Sequence, residues 1–372
     1  MLSYIYKWLS YQKYISLFLL LSRMKEKLHI IGTQDTKSLV ESIVRIIKED
    51  MQDKDNISYE CVEYNEFANG EIRIVLDQSV RGKHVYVIWD VNGNQHIGDY
   101  SIKYNDRLMQ ILFILQCAKN HWAKSINVVP TCFPYSRQDK PIQWGLKERV
   151  SREPSSAQFM VDIFQDLLNT DYCITVDVHN PAIINNSRKT NFVNLYTWWL
   201  VQHVIKDSKK ENVVLSSMDE WWLKKVSSIS KDLGLGYLTV LKQRDYSKIN
   251  AVEEIFVHGE VEWKNILIHD DILDTWWSLV KLIEKLHEMK PQSINVSITH
   301  GLFNNDAIAK LTKLHDEKKF ENIYITNTVC RETYPKFVKI IDVAPIFANA
   351  IKQIFMWWSI NYNFGVKLPS KK

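Results

Sequence analysis

Residues 266–280 read ILIHDDILDTWWSLV, and this stretch decides the fold. Ile266 to Ile268 is a short apolar run of the kind that forms a buried parallel strand. Asp270 and Asp271 end the run, and a turn carries the chain to Asp274-Thr275. A helical pattern follows over 279–290, with Ser278 at its head. Strand, acidic pair, turn and helix make one unit of an α/β protein, and ligands of open α/β sheets sit beyond the carboxyl ends of the strands. Two carboxylates there suit the vicinal hydroxyls of a sugar. Backbone N–H groups of the turn and of the helix N-terminus, joined by the Thr275 and Ser278 hydroxyls, suit a phosphate. The stretch therefore reads as a sugar-phosphate site made of Asp270, Asp271, Asp274, Thr275, Trp276, Trp277 and Ser278. The plainer alternative is a capped surface helix with acidic residues by chance.

Outward from this unit the same rhythm repeats. Strands are expected at 28–31, 85–88, 126–129, 173–176, 213–215, 266–268, 294–298 and 323–326. Helical periodicity marks 36–49, 104–119, 156–169, 200–206, 279–290 and 346–355. The alternation implies an α/β protein with two domains, each a mainly parallel sheet flanked by helices. The transition falls within 180–195, giving a first domain over 24–180 and a second over 181–365, with the last helix able to pack back on the first. Residues 1–23 read as an extension ahead of Met24. Their apolar run, Ile15 to Leu21, is far short of the roughly 20 residues a membrane span needs. An interfacial anchor or a leader is the alternative reading of that extension.

Composition narrows the class. Lys and Arg total 47 against 43 Asp and Glu, so the net charge of +4 gives no reason to expect a nucleic-acid or acidic-membrane partner. Five cysteines, Cys61, Cys117, Cys132, Cys173 and Cys330, form no CxxC pair. Scattered in this way they point to reduced thiols and a cytoplasmic protein, not to a disulfide frame or a zinc site. One imbalance stands out: 11 glycines and 13 tryptophans in 372 residues. Glycine is less than half as frequent as its usual level of about 7%.

Further motifs tie the acidic stretch to a family. Asp-Asp-x-x-Asp-Thr at 270–275 resembles the phosphoribosyl-binding motif of type I phosphoribosyltransferases. Phe67-Ala-Asn69-Gly-Glu71, Ser79-Val-Arg-Gly-Lys83, Phe133-Pro-Tyr-Ser-Arg137-Gln138-Asp139 and Arg152-Glu-Pro-Ser-Ser-Ala157 resemble one branch, the phosphoribosyl diphosphate synthases. Thr175-Val-Asp-Val-His179, Thr299-His-Gly-Leu-Phe303, Thr326-Asn-Thr328 and Ile341-Asp-Val343 follow in the matching order. The resemblance implies transfer of a diphosphoryl group from ATP to ribose 5-phosphate, with Mg²⁺ as cofactor. It implies that Phe67, Asn69, Glu71, Arg137, Gln138 and Asp139 bind ATP, part of that site coming from a neighbouring subunit of a homo-oligomer, a hexamer in the family. It implies that His179 and Asp219 meet the metal, and that Lys242 and Arg244 close over the transferring group. Magnesium suits carboxylate, water and phosphate oxygens, and paired cations suit a phosphoryl group whose charge spreads during transfer. Read alone, Phe67 would be a core residue, His179 a structural hydrogen-bonder and Lys242–Arg244 a solvated basic loop.

The chain departs from the family pattern in places. Asn69 replaces Asp, Ser217-Met218-Asp219 replaces Ser-Pro-Asp, Lys225 stands where Arg is usual, and the spacing from Asp139 to Arg152 is longer by about seven residues. Trp221-Trp222, Trp263, Trp276-Trp277 and Trp357 all stand at family glycines. Phosphate turns use glycine because the backbone must approach the ligand closely, so two indoles per turn would fill the pocket. Taken literally, these residues describe a non-catalytic regulatory paralogue. A phosphoribosyltransferase that consumes the product is a further competitor, but it would lack the 67–71 and 137–139 elements. Glycine depletion, tryptophan excess and their coincidence at loop positions point instead to a gene in which UGA specifies glycine. The coding DNA is expected to read UGA at positions 276 and 277; UGG at both overturns this account.

Overall fold

The computed structural model describes residues 26–356 apart from 52–53, 94–95, 98–99, 140–152, 186, 219, 245–251 and 332. The extension 1–23, Arg152, Asp219 and Trp357 therefore lie outside the described residues.

The first lobe opens with β1 (Lys27–Thr33), α1 (Lys37–Asp50) and β2 (Ile57–Val62), followed by a hairpin of β3 (Asn65–Glu66) and β4 (Ile72–Arg73). It continues through β5 (Lys83–Trp89), the short β6 (His96–Ile97) and β7 (Tyr100–Ser101), α2 (Tyr104–Asn120) and β8 (Ser125–Pro130). It closes with α3 (Ser156–Asp162), β9 (Tyr172–Val176), α4 (Ala182–Asn185) and β10 (Asn191–Leu195). The second lobe holds α5 (Trp198–Ser208), β11 (Val213–Ser217), α6 (Glu220–Leu233), the antiparallel pair β12 (Gly236–Arg244) and β13 (Val252–His258), and β14 (Asn265–Leu273). It ends with α7 (Trp277–Glu288), β15 (Ser293–Gly301), α8 (Ala307–Asp316), β16 (Ile323–Thr326), β17 (Val338–Ile341) and α9 (Ala344–Phe355).

The two main sheets run β10-β9-β8-β5-β1-β2 and β13-β12-β11-β14-β15-β16-β17. Every pairing in them is parallel except β12 with β13. In each sheet the first strand lies between the second and a later one, so each has one point where the winding reverses. These are the gaps β1/β5 and β11/β14, the places where doubly wound sheets hold ligands. The repeated order fits the duplicated rhythm of the sequence. β10 pairs with β9, so the first sheet extends to Leu195, at the far end of the transition expected within 180–195.

Several elements differ from their sequence reading for identifiable reasons. The helix expected over 156–169 is α-helical only to Asp162; Ile163–Leu167 is a π-helical turn. Phe164 is fully buried there, and its carbonyl accepts both Thr170 N and Thr170 Oγ1, which stops the helix. β14 does not end at the acidic pair but runs on through Asp271 to Leu273, because β15 continues alongside it, pairing Ile272 with His300 and Leu273 with Gly301.

The last helix ties the lobes together. α9 lays Phe347, Ala350 and Ile351 against Ile43, Val44 and Ile47 of α1 in one apolar cluster that also contains Leu215 and Leu267 of the second sheet. Lys352 reaches Asp50 at its end. Phe347 is fully buried, and deleting such a ring removes its transfer energy and leaves a cavity. Phe347→Ala is expected to cost about 3–5 kcal/mol, read from denaturant unfolding; a loss below about 1 kcal/mol would show that α9 does not hold the lobes.

Candidate active site

The carboxyl ends of β9 and β14 face each other across the lobes, and the side chains there form one polar cluster. Asp270 and Asp271 are almost fully buried. Asp271 N donates to Asp270 Oδ1 and Ile272 N to Asp271 Oδ1, both at 2.9 Å, so two backbone amides fix the carboxyl groups. From the first lobe His179 brings Nδ1 to 2.7 Å from Asp271 Oδ2. The Asp271 hydrogen bond and charge raise the His179 pKa against the opposing effect of burial. Beyond β14, Asp274 pairs with Arg137 of the first lobe and accepts Asn304 Nδ2 at 2.7 Å. Asp139 takes a hydrogen bond from Asn180, the neighbour of His179. Three cross-links, Arg137–Asp274, Asp139–Asn180 and His179–Asp271, thus join the 137–139 turn, the end of β9 and the acidic stretch.

A further set lies deeper. Asp177, two residues before His179, is buried with φ +39°, and its carboxylate receives Lys225 Nζ at 2.5 Å, Thr299 Oγ1 at 2.8 Å and the Thr197 hydroxyl. Burial opposes its ionisation, but the Lys225 charge and these bonds outweigh it and hold the carboxyl below its ordinary range. His300 Nε2 lies 3.1 Å from the Val176 carbonyl, another link between lobes. The motifs Thr175–His179 and Thr299–Phe303 contain Asp177, Thr299 and His300, yet no local pattern tells which of their polar residues face a ligand and which face each other.

Not every expected site residue joins this cluster. Phe67 is 53% exposed, not a core residue, and caps the β3–β4 hairpin, where Phe67 N donates to the Glu71 carbonyl at 2.7 Å and Glu71 N to Asn69 Oδ1 at 3.2 Å. Gly70 supplies the positive φ of +87° that this turn requires. Among the described residues no hydrogen bond or ion pair joins the hairpin to the cluster. Gln138 is fixed by its backbone, its N bonded to the Tyr135 carbonyl and its carbonyl to Ala157 N. Lys242 and Arg244 lie on β12 opposite Ile255 and Val252 of β13; their side chains are outside the described residues.

The turn read from the sequence as a phosphate site carries two indoles. Trp276 caps α7 and its ring meets that of Trp277 edge-on at 4.7 Å between centroids. Trp276 Nε1 bonds Asp306, while Lys310 stands over one ring at 5.2 Å and Lys281 over the other at 5.0 Å. Thr275 is exposed and Ser278 half-buried in the first turn of the helix. Two other tryptophans take backbone conformations that bulky residues rarely adopt. Trp263 has φ +59° in a turn closed by Lys264 N to the Val261 carbonyl at 3.0 Å, and Trp122 has φ +57° just past the end of α2. The two residues are 73% and 65% exposed, so neither is held in the left-handed region by burial in the core. The residue after a helix C-cap and the third residue of such a turn are where glycine ordinarily sits.

Two doubly wound lobes joined at their strand ends, with an acidic pair and a helix N-terminus at one switch point, define a protein of phosphoribosyltransferase-like architecture. A family model described as the N-terminal domain of ribose phosphate pyrophosphokinase matches residues 28–167. A second, described as the phosphoribosyl synthetase-associated domain, matches residues 240–365. The chain is 30% identical over 300 residues to ribose-phosphate pyrophosphokinase 4 of Saccharomyces cerevisiae, covering 80% of this chain and 85% of that one. Its fold matches the crystal structure of phosphoribosylpyrophosphate synthetase from Mycobacterium smegmatis with a TM-score of 0.73 at 23% identity, over 89% of this chain and 99% of that one. The chain belongs to the ribose-phosphate pyrophosphokinase family.

Among the described residues no helix is long and apolar enough to cross a membrane, and no cluster of three or more His, Cys, Asp or Glu could hold a metal by itself. His269, on β14 just before the acidic pair, is fully buried; burial, with help from Lys225, pushes its pKa down to about 4. An unfolded histidine titrates near ~6.5, so between about pH 6.5 and 4 the unfolded chain binds more protons and stability falls as pH drops. His269→Gln should flatten that decline, measured as denaturant midpoints at pH 7 and pH 5; an unchanged pH slope would show that His269 is not buried neutral.

Proposed function

We infer that the chain transfers the β,γ-diphosphoryl group of ATP to the C1 hydroxyl of ribose 5-phosphate, giving 5-phosphoribosyl 1-diphosphate and AMP. The observation that carries this reading is the inter-lobe convergence of Arg137, His179 and the Asp270–Asp274 stretch. The ribose hydroxyls fall to Asp270 and Asp271, the carboxylates near the carboxyl end of β14 that backbone amides and His179 hold in place. The 5-phosphate falls to the turn of Asp274, Thr275, 276, 277 and Ser278 at the N-terminus of α7, where amides and the helix dipole favour an anion. Phe67, Asn69 and Glu71 take the adenine, in keeping with an exposed ring that no core claims, and Arg137, Gln138 and Asp139 take the ATP phosphates.

In the reaction the C1 oxygen attacks the β-phosphorus, its proton passes to solvent, and the bond from that phosphorus to the α,β-bridging oxygen breaks as AMP leaves. Most of the acceleration in such a step comes from alignment and from neutralising charge on the moving group. Lys242 and Arg244, on the β12–β13 pair, are the cations assigned to that charge. Mg²⁺ is the expected cofactor. His179 Nδ1 is engaged by Asp271, which leaves Nε2 for an outer role, and with Asp219 the protein offers few ligands. That donor set fits an ion that keeps its waters and takes phosphate oxygens. Bound there, it would screen the ATP phosphates. A homo-oligomer of reduced, cytoplasmic subunits completes the proposal; all five cysteines are free.

This function needs a turn that admits phosphate, so we propose glycine at 276 and 277 in the protein its own cell makes, as at 122 and 263 where the backbone is left-handed. The native protein should release AMP only when ribose 5-phosphate is present, and Asp271→Asn should lower kcat/KM by about 100-fold, some 2.7 kcal/mol. Ribose-5-phosphate-independent AMP release, or an unaffected variant, would refute the site. Native protein carrying tryptophan at 276 and 277 and showing no turnover would instead favour the regulatory paralogue.

A further inference from the structure

Asp177 and Lys225 touch neither the sugar site nor the nucleotide site as described above, yet they make the most heavily bonded contact between the lobes. Asp177 ends β9 in a left-handed conformation, φ +39°, with its N–H on the Leu195 carbonyl at 3.1 Å. A non-glycine residue held there at the end of a buried strand needs its surroundings to enforce it. The enforcing bonds come from elsewhere in the chain: Thr197 at the head of α5, Thr299 on β15 and Lys225 on α6. The kink they fix turns the next residues out of the first sheet, Val178 N being caught by Asn194 Oδ1 at 3.0 Å, and delivers His179 to Asp271. The Lys225 side chain is three-quarters buried, at 23% exposure, with its ammonium on Asp177 Oδ1.

We propose that Lys225, acting through Asp177, is a positioning residue that sets the distance between the lobes and thereby places the His179–Asp271 pair for ribose 5-phosphate. Both Asp177 oxygens are occupied by protein donors, so this carboxylate serves the clamp and leaves metal and substrate to its neighbours. A lysine suffices because one ammonium bond to Oδ1 completes a set whose other members are hydroxyls. The proposal rests on the sugar site assigned above, and its test separates the two.

Binding of ribose 5-phosphate is measured by calorimetry, without nucleotide or metal, on the native full-length protein and on Lys225→Arg, Lys225→Met and the pair Asp177→Asn/Lys225→Met. Asn tolerates the left-handed backbone as Asp does, and the pair leaves no unpaired buried charge, so it folds even where Lys225→Met alone does not. Lys225→Arg should bind within about twofold of the native protein. Lys225→Met and the pair should bind about tenfold more weakly, equivalent to 1.4 kcal/mol, while the pair recovers the thermal midpoint that Lys225→Met loses. A pair that binds like the native protein shows that Lys225 only neutralises a buried charge and overturns the proposal. Native protein with no affinity for ribose 5-phosphate overturns the sugar site itself, and the clamp's role with it.

Discussion

The meeting of two strand ends, β9 and β14, through His179 and Asp271 is the contact on which the site depends. Parallel sheets collect their ligand-facing groups at one end, and neither lobe alone brings the opposing set. Asp270, Asp271 and Asp274 belong to the second lobe, His179 and Arg137 to the first. The junction is polar, with Asp177, Asp270 and Asp271 buried in it. Buried charges persist only when other donors and acceptors satisfy them. This explains the density of bonded polar side chains between the lobes, where Asp90 takes Cys330 N at 2.8 Å and His300 reaches Val176.

Behind this polar front the lobes share a continuous apolar core, with α9 returning across α1. The two kinds of contact do different work. Apolar burial is non-directional and supplies most of the cohesion, so it fixes that the lobes stay together. Charge-assisted hydrogen bonds are directional, so they fix the angle and distance at which the strand ends meet. Loss of the first would separate the lobes, whereas loss of the second would leave a folded protein with its catalytic groups misplaced.

The tryptophans show how one residue type can contradict both backbone and chemistry. At 122 and 263 a large exposed ring sits on a left-handed backbone, and at 276 and 277 a pair of rings stands at the head of α7, where the proposed site puts a phosphate. Trp89, by contrast, is fully buried in the core on β5. Glycine resolves the first group and would only hollow out the last. The conflict thus concerns turns, where shape is set by the lack of a side chain, and leaves the acidic and cationic site residues untouched.

The sequence by itself determined the α/β class, the repeated lobe and the acidic strand-turn-helix stretch. Apolar runs, helical periodicity and a strand-turn-helix with Asp270, Asp271 and Asp274 are local patterns, and local patterns survive in one dimension. β12, β13 and β17 were harder to read because polar residues interrupt their apolar positions, and the helix over 156–169 broke at Phe164 for a tertiary reason. Only the folded chain decided that Asp177 turns inward to Lys225 while His179 turns outward to Asp271, that Arg137 meets Asp274, and that Phe67 stands free of the core. These pairs are 48, 92 and 137 residues apart for the three bonds. Their partners are chosen by how two sheets dock, and docking depends on the summed burial of residues too far apart in the chain for any spacing to encode.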